Sequence, residues 1–234
     1  MADDSSFEIK NRKRNLEMLV EKRTNTLDYL KRLYSGEQNL HYLNIVRVQP
    51  QQVIQAIKPA TLQKRAMAWC ILGYSLASTL KIENTPTYVK TLIQLMEEYD
   101  YLLDHDMSSF GPNFKSREVS VNLDREDVEE FKPKIHKVGN TVYFEFLQIF
   151  NIPCDLDYLE IIFALSDVLK LVFGKLDVDK VNRLHYELIL RFDSRMKHHF
   201  YSVLEKEMYE IGKKTVAEQT ADVNTLFKTW LVVK

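Results

Sequence analysis

Glycine and proline are scarce, with six of each in 234 residues, where ordinary usage of the two together is about 12% of a chain. Few built-in turns remain, so the elements are expected to be long and uninterrupted. Cysteine is nearly absent: Cys70 and Cys154 are the only two. Each has apolar neighbours, which suits small reduced core thiols in a reducing compartment better than a disulfide framework. Charge of one sign is lacking as well. Lys plus Arg number 32 against 33 Asp plus Glu, a net charge of -1, so the chain lacks the basic excess that holds nucleic-acid binders to phosphate. Any polyanion contact would have to be local.

Long hydrophobic runs are missing too. The most apolar stretch, AMAWCILGYSLAS at 66–78, follows Gln63, Lys64 and Arg65 and falls short of the roughly 18 to 20 apolar residues a bilayer crossing needs. Its mixture of faces suits a helix surrounded by other helices, and it is read as central core. A second reading has Trp69, Tyr74 and Ser75 lining a pocket for an apolar ligand between helices. The opening MADDSSFEIKNRKRN carries early acids and no apolar run, unlike a secretory signal. The chain is therefore expected to begin near Met1 and to work in the cytoplasm, with the nucleus as the alternative.

Catalytic signatures are absent as well. There is no phosphate loop, nucleophile elbow, dinucleotide fingerprint or Cys-x-x-Cys pair, and no Glu-x-x-His pairs on facing helices that would bridge two metals. Of the six histidines, His105 lies in an Asp-His-Asp triplet reminiscent of metal phosphohydrolases, but no partners for it are recognisable. It reads as the acidic end of a helix. His185 falls on the apolar face of a long helix and reads as packing. The expectation is a non-enzymatic protein with no cofactor and no metal.

Apolar residues at 45% and charged residues at 28% supply a sizeable core and a wet surface. Leu16, Leu19, Val20, Leu27, Leu30 and Leu33 recur at helical spacing and predict a helix over about 7–34, stopped by Gly36. LHYLNIVRV then reads as extended or irregular. Helices follow from Pro50 to about Ile82, split near Pro59, and from Thr85, read as a cap, to about Leu103. Residues 104–123 have no sustained period and are read as a mobile loop. A charged helix start, DREDVEEF, comes next, then a helix capped by Asp155, then Gly174 and Asp177 closing one helix and opening another. From 175 to 211 neither Gly nor Pro occurs, and Val181, His185, Leu188, Phe192, Met196, Phe200 and Val203 mark one long helix. The fold class is all-α, a bundle of about six to eight helices with one long C-terminal helix. We read one helical domain over 1–234, with 1–103, 104–123 and 124–234 as the alternative division.

Two candidate partner-binding sets emerge. Lys10, Arg12, Lys13 and Arg14 cluster at the start of the first helix, where basic residues oppose the helix dipole. They suit an acidic partner, an anionic lipid surface or nuclear import. After Gly212, Val223, Leu226, Phe227, Trp230 and Leu231 fall at i, i+3, i+4, i+7 and i+8, predicting a short separate amphipathic helix. Such a helix is marginal alone, and its expected dock is the chain's own bundle, ahead of a groove on a partner. Phe227, Trp230 and Leu231 are its candidate contact residues. The acids from Glu97 to Asp106 and from Glu118 to Glu130 could receive the basic helix of a second copy. The resulting expectation is a scaffold or interaction subunit of an intracellular assembly, with a lipid-binding or membrane-surface helical protein as the alternative. Its partners would be other proteins, a second copy of the chain or an anionic membrane surface.

Overall fold

The computed structural model describes residues 2–105, 131–139, 141–176 and 182–232. It is all-α apart from one small hairpin. The helices are α1 (Ala2–Tyr34), α2 (Pro50–Ala56), α3 (Pro59–Thr79), α4 (Thr85–Asp104), α5 (Tyr158–Gly174), α6 (Arg183–Met196) and α7 (Ser202–Val232). A π-helical turn, Lys197–Tyr201, joins α6 to α7 without a break. From Arg183 to Val232 the chain is thus one rod, roughly 75 Å long at 1.5 Å per residue. The loop read at 104–123 and the helix start at 124–131 lie outside the described residues, save that Asp104 and His105 close α4 and Phe131 packs against the core.

Local chemistry fixes the helix starts. Pro50 and Pro59 occupy the first turns of α2 and α3, where a missing N–H costs nothing. The cap of α4 is Asn84 rather than Thr85: the Asn84 side chain is the one that accepts the Thr87 N–H. The cap of α5 is likewise Asp157, which accepts from Leu159 and Glu160, rather than Asp155. Asn182 caps α6 through the His185 N–H, and Asp177 lies outside the described residues. Gly36 turns the chain after α1 with φ +72°, and a Cβ there would meet Pro50 Cδ at 2.7 Å.

Helix α5 packs between α1 and α3, α4 between α3 and α6, and α6 returns to α1, so five helices ring one core, with α2 against α7. Leu27, Leu72, Leu76, Tyr88, Ile93, Phe144, Ile162, Phe173, Phe192 and Phe200 fill it. The stretch 66–78 is core, as its composition implies, but not on every side: Met67 and Tyr74 face solvent.

The hairpin, β1 (His136–Val138) with β2 (Thr141–Tyr143), pairs antiparallel with Lys137 opposite Val142. It and the chain that follows are held by side chains where a sheet would use a neighbouring strand. Gln94 donates to the Lys134 carbonyl at 2.6 Å and accepts from its N–H at 2.9 Å. The buried Glu98 carboxylate accepts the N–H groups of Glu145, Phe146 and Leu147 at 2.7–2.9 Å. Ser75 accepts from Gln148, and Gln63 pairs with both backbone groups of Leu156. These bonds satisfy an irregular buried segment whose polar groups would otherwise oppose burial.

Candidate interaction site

The separate C-terminal helix expected after Gly212 does not form. Gly212 sits inside α7, and its missing side chain makes room for Tyr42, whose ring would lie 3.1 Å from a Cβ there. Docking on the chain's own bundle is overturned as well. Every side chain from Val216 to Lys228 is exposed, with Leu226 and Phe227 each at 65%. Among the described residues the last buried ones of the rod are Ile211, Gly212 and Thr215, so α7 runs on past the cover given to its earlier turns. Trp230 and Leu231 continue its backbone, and their side chains lie outside the described residues.

The turn that carries Tyr42 adds to this surface. Tyr42 and Val46 exchange backbone hydrogen bonds at 2.7 and 3.1 Å, and Ile45 donates to the Tyr42 carbonyl. Between them Leu43 and Asn44 hold φ of 51° and 57°. Asn tolerates that left-handed geometry, whereas Leu adopts it at a cost. The result holds Leu43 and Ile45 in solvent beside α7, at 63% and 70% exposure. The sequence reading of 40–48 as irregular fits, but nothing in the local pattern signals its long-range contact with Gly212.

The basic cluster stands apart. Lys10, Lys13 and Arg14 are exposed, while Arg12 is half-buried and pairs with Glu8 at 3.4 Å. Helix α1 runs parallel to the long rod: Asn15 meets Tyr186, Arg23 pairs with Asp193 and Tyr34 donates to the Leu204 carbonyl. The cluster therefore lies at one end of the molecule and the bare part of α7 at the other. Of the acids assigned to a second copy's basic helix, Glu97, Glu98 and Asp100 are used internally, while Asp104 is exposed at the end of α4. Glu97 binds Arg195 at 2.6 Å, Asp100 binds Arg195 and His199, and Glu98 is buried. Those beyond Asp104 lie outside the described residues.

Two adjoining grooves of about 590 and 540 Å³ meet at the π turn. Ala68, Trp69, Tyr99, Leu103 and Val203 give the first an apolar lining, while Lys58, Arg65, His198 and Lys206 border the second. The π turn leaves the His199 carbonyl for the Trp69 indole, which donates to it at 3.1 Å. Trp69 thus reaches a groove, but Tyr74 faces solvent against Phe150 and Ser75 is buried, so the three do not line one pocket. Sequence reasoning missed Lys58, Arg65, His198 and Lys206, because their meeting depends on how α3 crosses the rod.

Glu207 is buried and receives Arg65 and the hydroxyls of Tyr34 and Tyr158, with burial raising its pKa against the pull of Tyr158 and Arg65. Burial, reinforced by the Glu98 charge, lifts Glu145 to about 7. Its Oε1 has no hydrogen-bond partner, and its Oε2 lies 3.8 Å from His136 Nε2. His185 is buried, which lowers its pKa, and His105 stacks on Tyr101 and contacts the Tyr101 carbonyl. Among the described residues no group of three or more His, Cys, Asp or Glu could hold a metal ion, and no helix is long and apolar enough to cross a membrane. Comparison with protein-family models, curated proteins and solved structures finds no match.

Proposed function

We propose that this chain is a non-enzymatic helical interaction subunit, a scaffold of a cytoplasmic protein assembly. The exposed apolar face of α7 carries the reading: Val216, Val223, Leu226 and Phe227 all lie in solvent on an element that extends past the bundle. A bare helical arm of this length is marginal in water, and contiguous exposed apolar surface is typical of contact sites. Ending the chain after Thr215 tests it. Because every removed side chain that the structure describes, from Val216 to Lys228, is exposed, the melting temperature should move by less than about 4 °C, the equivalent of roughly 1 kcal/mol for a chain of this size. The partners recovered stoichiometrically from native cells should be lost. A truncated chain that keeps its partners would overturn the reading.

A lipid-binding or membrane-surface role is supported by a different observation, the apolar grooves at the π turn with Lys58, Arg65 and Lys206 at their rim. Exposed Lys10, Lys13 and Arg14 would add attraction to an anionic leaflet. On this reading the chain co-sediments with phosphatidylserine vesicles, less so as salt rises, and charge reversal at Lys10, Arg12, Lys13 and Arg14 weakens binding without lowering the melting temperature. Equal binding by both forms at low salt removes the cluster from the mechanism.

A further inference from the structure

We propose that the bare arm of α7 pairs with the same arm of a second copy, in parallel and in register, so that the molecule is a homodimer. The inference rests on the interaction-subunit reading and specifies the occupant of its surface. Its starting point is the face of α7 beside the buried one, where Tyr42 packs on Gly212 and Tyr209 is exposed. Tyr209 and Gly212 lie three residues apart on one face, and Tyr42 covers Gly212. Continuing along that face at alternating steps of four and three leads to Val216, Gln219, Val223, Leu226 and Trp230 in the sequence. This is a period of 3.5, the seam of a two-helix coiled coil. The Tyr42 cover of this face ends at Gly212, and Val216, Gln219, Val223 and Leu226 beyond it are exposed.

The residue types select the partner. Val216 and Val223 occupy one core position of the repeat and Leu226 the other, and β-branched residues alternating with Leu in that order favour two parallel strands. Gln219 fixes the direction. In parallel pairing it meets Gln219 of the second copy, and the two amides can bond each other. Antiparallel pairing would set each amide against an apolar neighbour and leave it unsatisfied, at a cost. The flanking positions beside the bare seam are Thr220, Asp222, Phe227 and Thr229, so no like charges oppose each other across the pair. Lys214, Glu218 and Lys228 fall on the outer face, where Lys214 pairs with Glu218.

Size agrees with this choice. Leu43, Ile45, Tyr209, Val216, Val223, Leu226 and Phe227 each expose between 40% and 70% of their surface. At about 100 Å² apiece they supply roughly 700 Å², close to the roughly 800 Å² each partner gives to a stable interface. The turn at Leu43 and Ile45 would flank the start of the paired arms.

Sedimentation equilibrium of the full chain, and disulfide trapping, decide the matter. The full chain should sediment as a dimer at micromolar concentration. In a Cys154→Ser background, Val223→Cys should form an intermolecular disulfide under air, while Lys228→Cys on the outer face should not. Leu226→Lys, at a site 65% exposed in the monomer, should keep the helical circular dichroism and weaken dimerisation by at least about tenfold. A monomer at about 100 µM overturns self-pairing, as does a dimer that survives Leu226→Lys. Cross-linking at Lys228 in preference to Val223 overturns the register. A monomer leaves the interaction-subunit reading to the Thr215 truncation, which reads partners of any kind.

Discussion

Glu145 illustrates how single residues tune this fold. Buried beside Glu98 and lifted to about 7 from an ordinary 4.5, it keeps a proton in the folded state that the unfolded chain has already released. Between those two values the native state binds more protons than the unfolded one, so stability falls as pH rises through that window and is greatest below it. Glu145→Gln should therefore flatten the pH dependence, and urea unfolding midpoints at pH 5 and pH 8 should lie closer together than in the parent. Identical pH profiles would remove Glu145 from this role. The residue was not legible in the sequence, because its burial depends on Glu98 collecting three backbone N–H groups from about 47 residues away. Arg23 and Asp193 form a second such pair, most of their surface hidden and Arg23 also over the Tyr201 ring; neither has a local signal.

At the scale of elements, periodicity carried most of what could be read. The helices α1, α3, α5 and α6 follow from apolar spacing, and Pro50, Pro59 and Pro86 mark true starts. Cap residues were harder, since Thr85 and Asn84, or Asp155 and Asp157, differ only in which oxygen reaches an open N–H. The hairpin at 136–143 escaped notice because three-residue strands need the Gln94 and Glu98 clamps to persist. Gly212 misled in the other direction: a glycine that suggests a stop is instead the notch for an aromatic ring arriving from residue 42. Gly36 behaves as expected, and its demands are stricter. With φ at +72° and Pro50 Cδ 2.7 Å from where a Cβ would stand, Gly36→Ala meets strain and a clash together. It should cost more than about 1 kcal/mol, read as a lower urea midpoint with unchanged slope, whereas an unchanged midpoint would mean the turn between α1 and α2 relaxes freely.

For the whole molecule, the class of fold was legible and the site only half so. The apolar stripe of α7 could be found by counting residues, but whether it faces core or water could not, because that depends on where the neighbouring helices end. The basic cluster and the apolar arm emerge at opposite ends of one parallel pair of helices, a separation no local pattern encodes. The π turn between α6 and α7 governs the rest. Phe192, Met196, Phe200, Leu204 and Met208 are all buried and recur every four residues, although four residues of regular α-helix overshoot a full turn by about 40°. Carried from Phe192 to Met208 without correction, that drift would reach about 160° and point Met208 away from the core. The wider turn at Lys197–Tyr201 absorbs part of it, so this short stretch sets the phase of everything downstream. Removing one residue there would rotate the end of the rod by roughly 100°, swinging Gly212 from under Tyr42 and aiming the arm's apolar stripe in a new direction while leaving every side chain of that stripe unchanged.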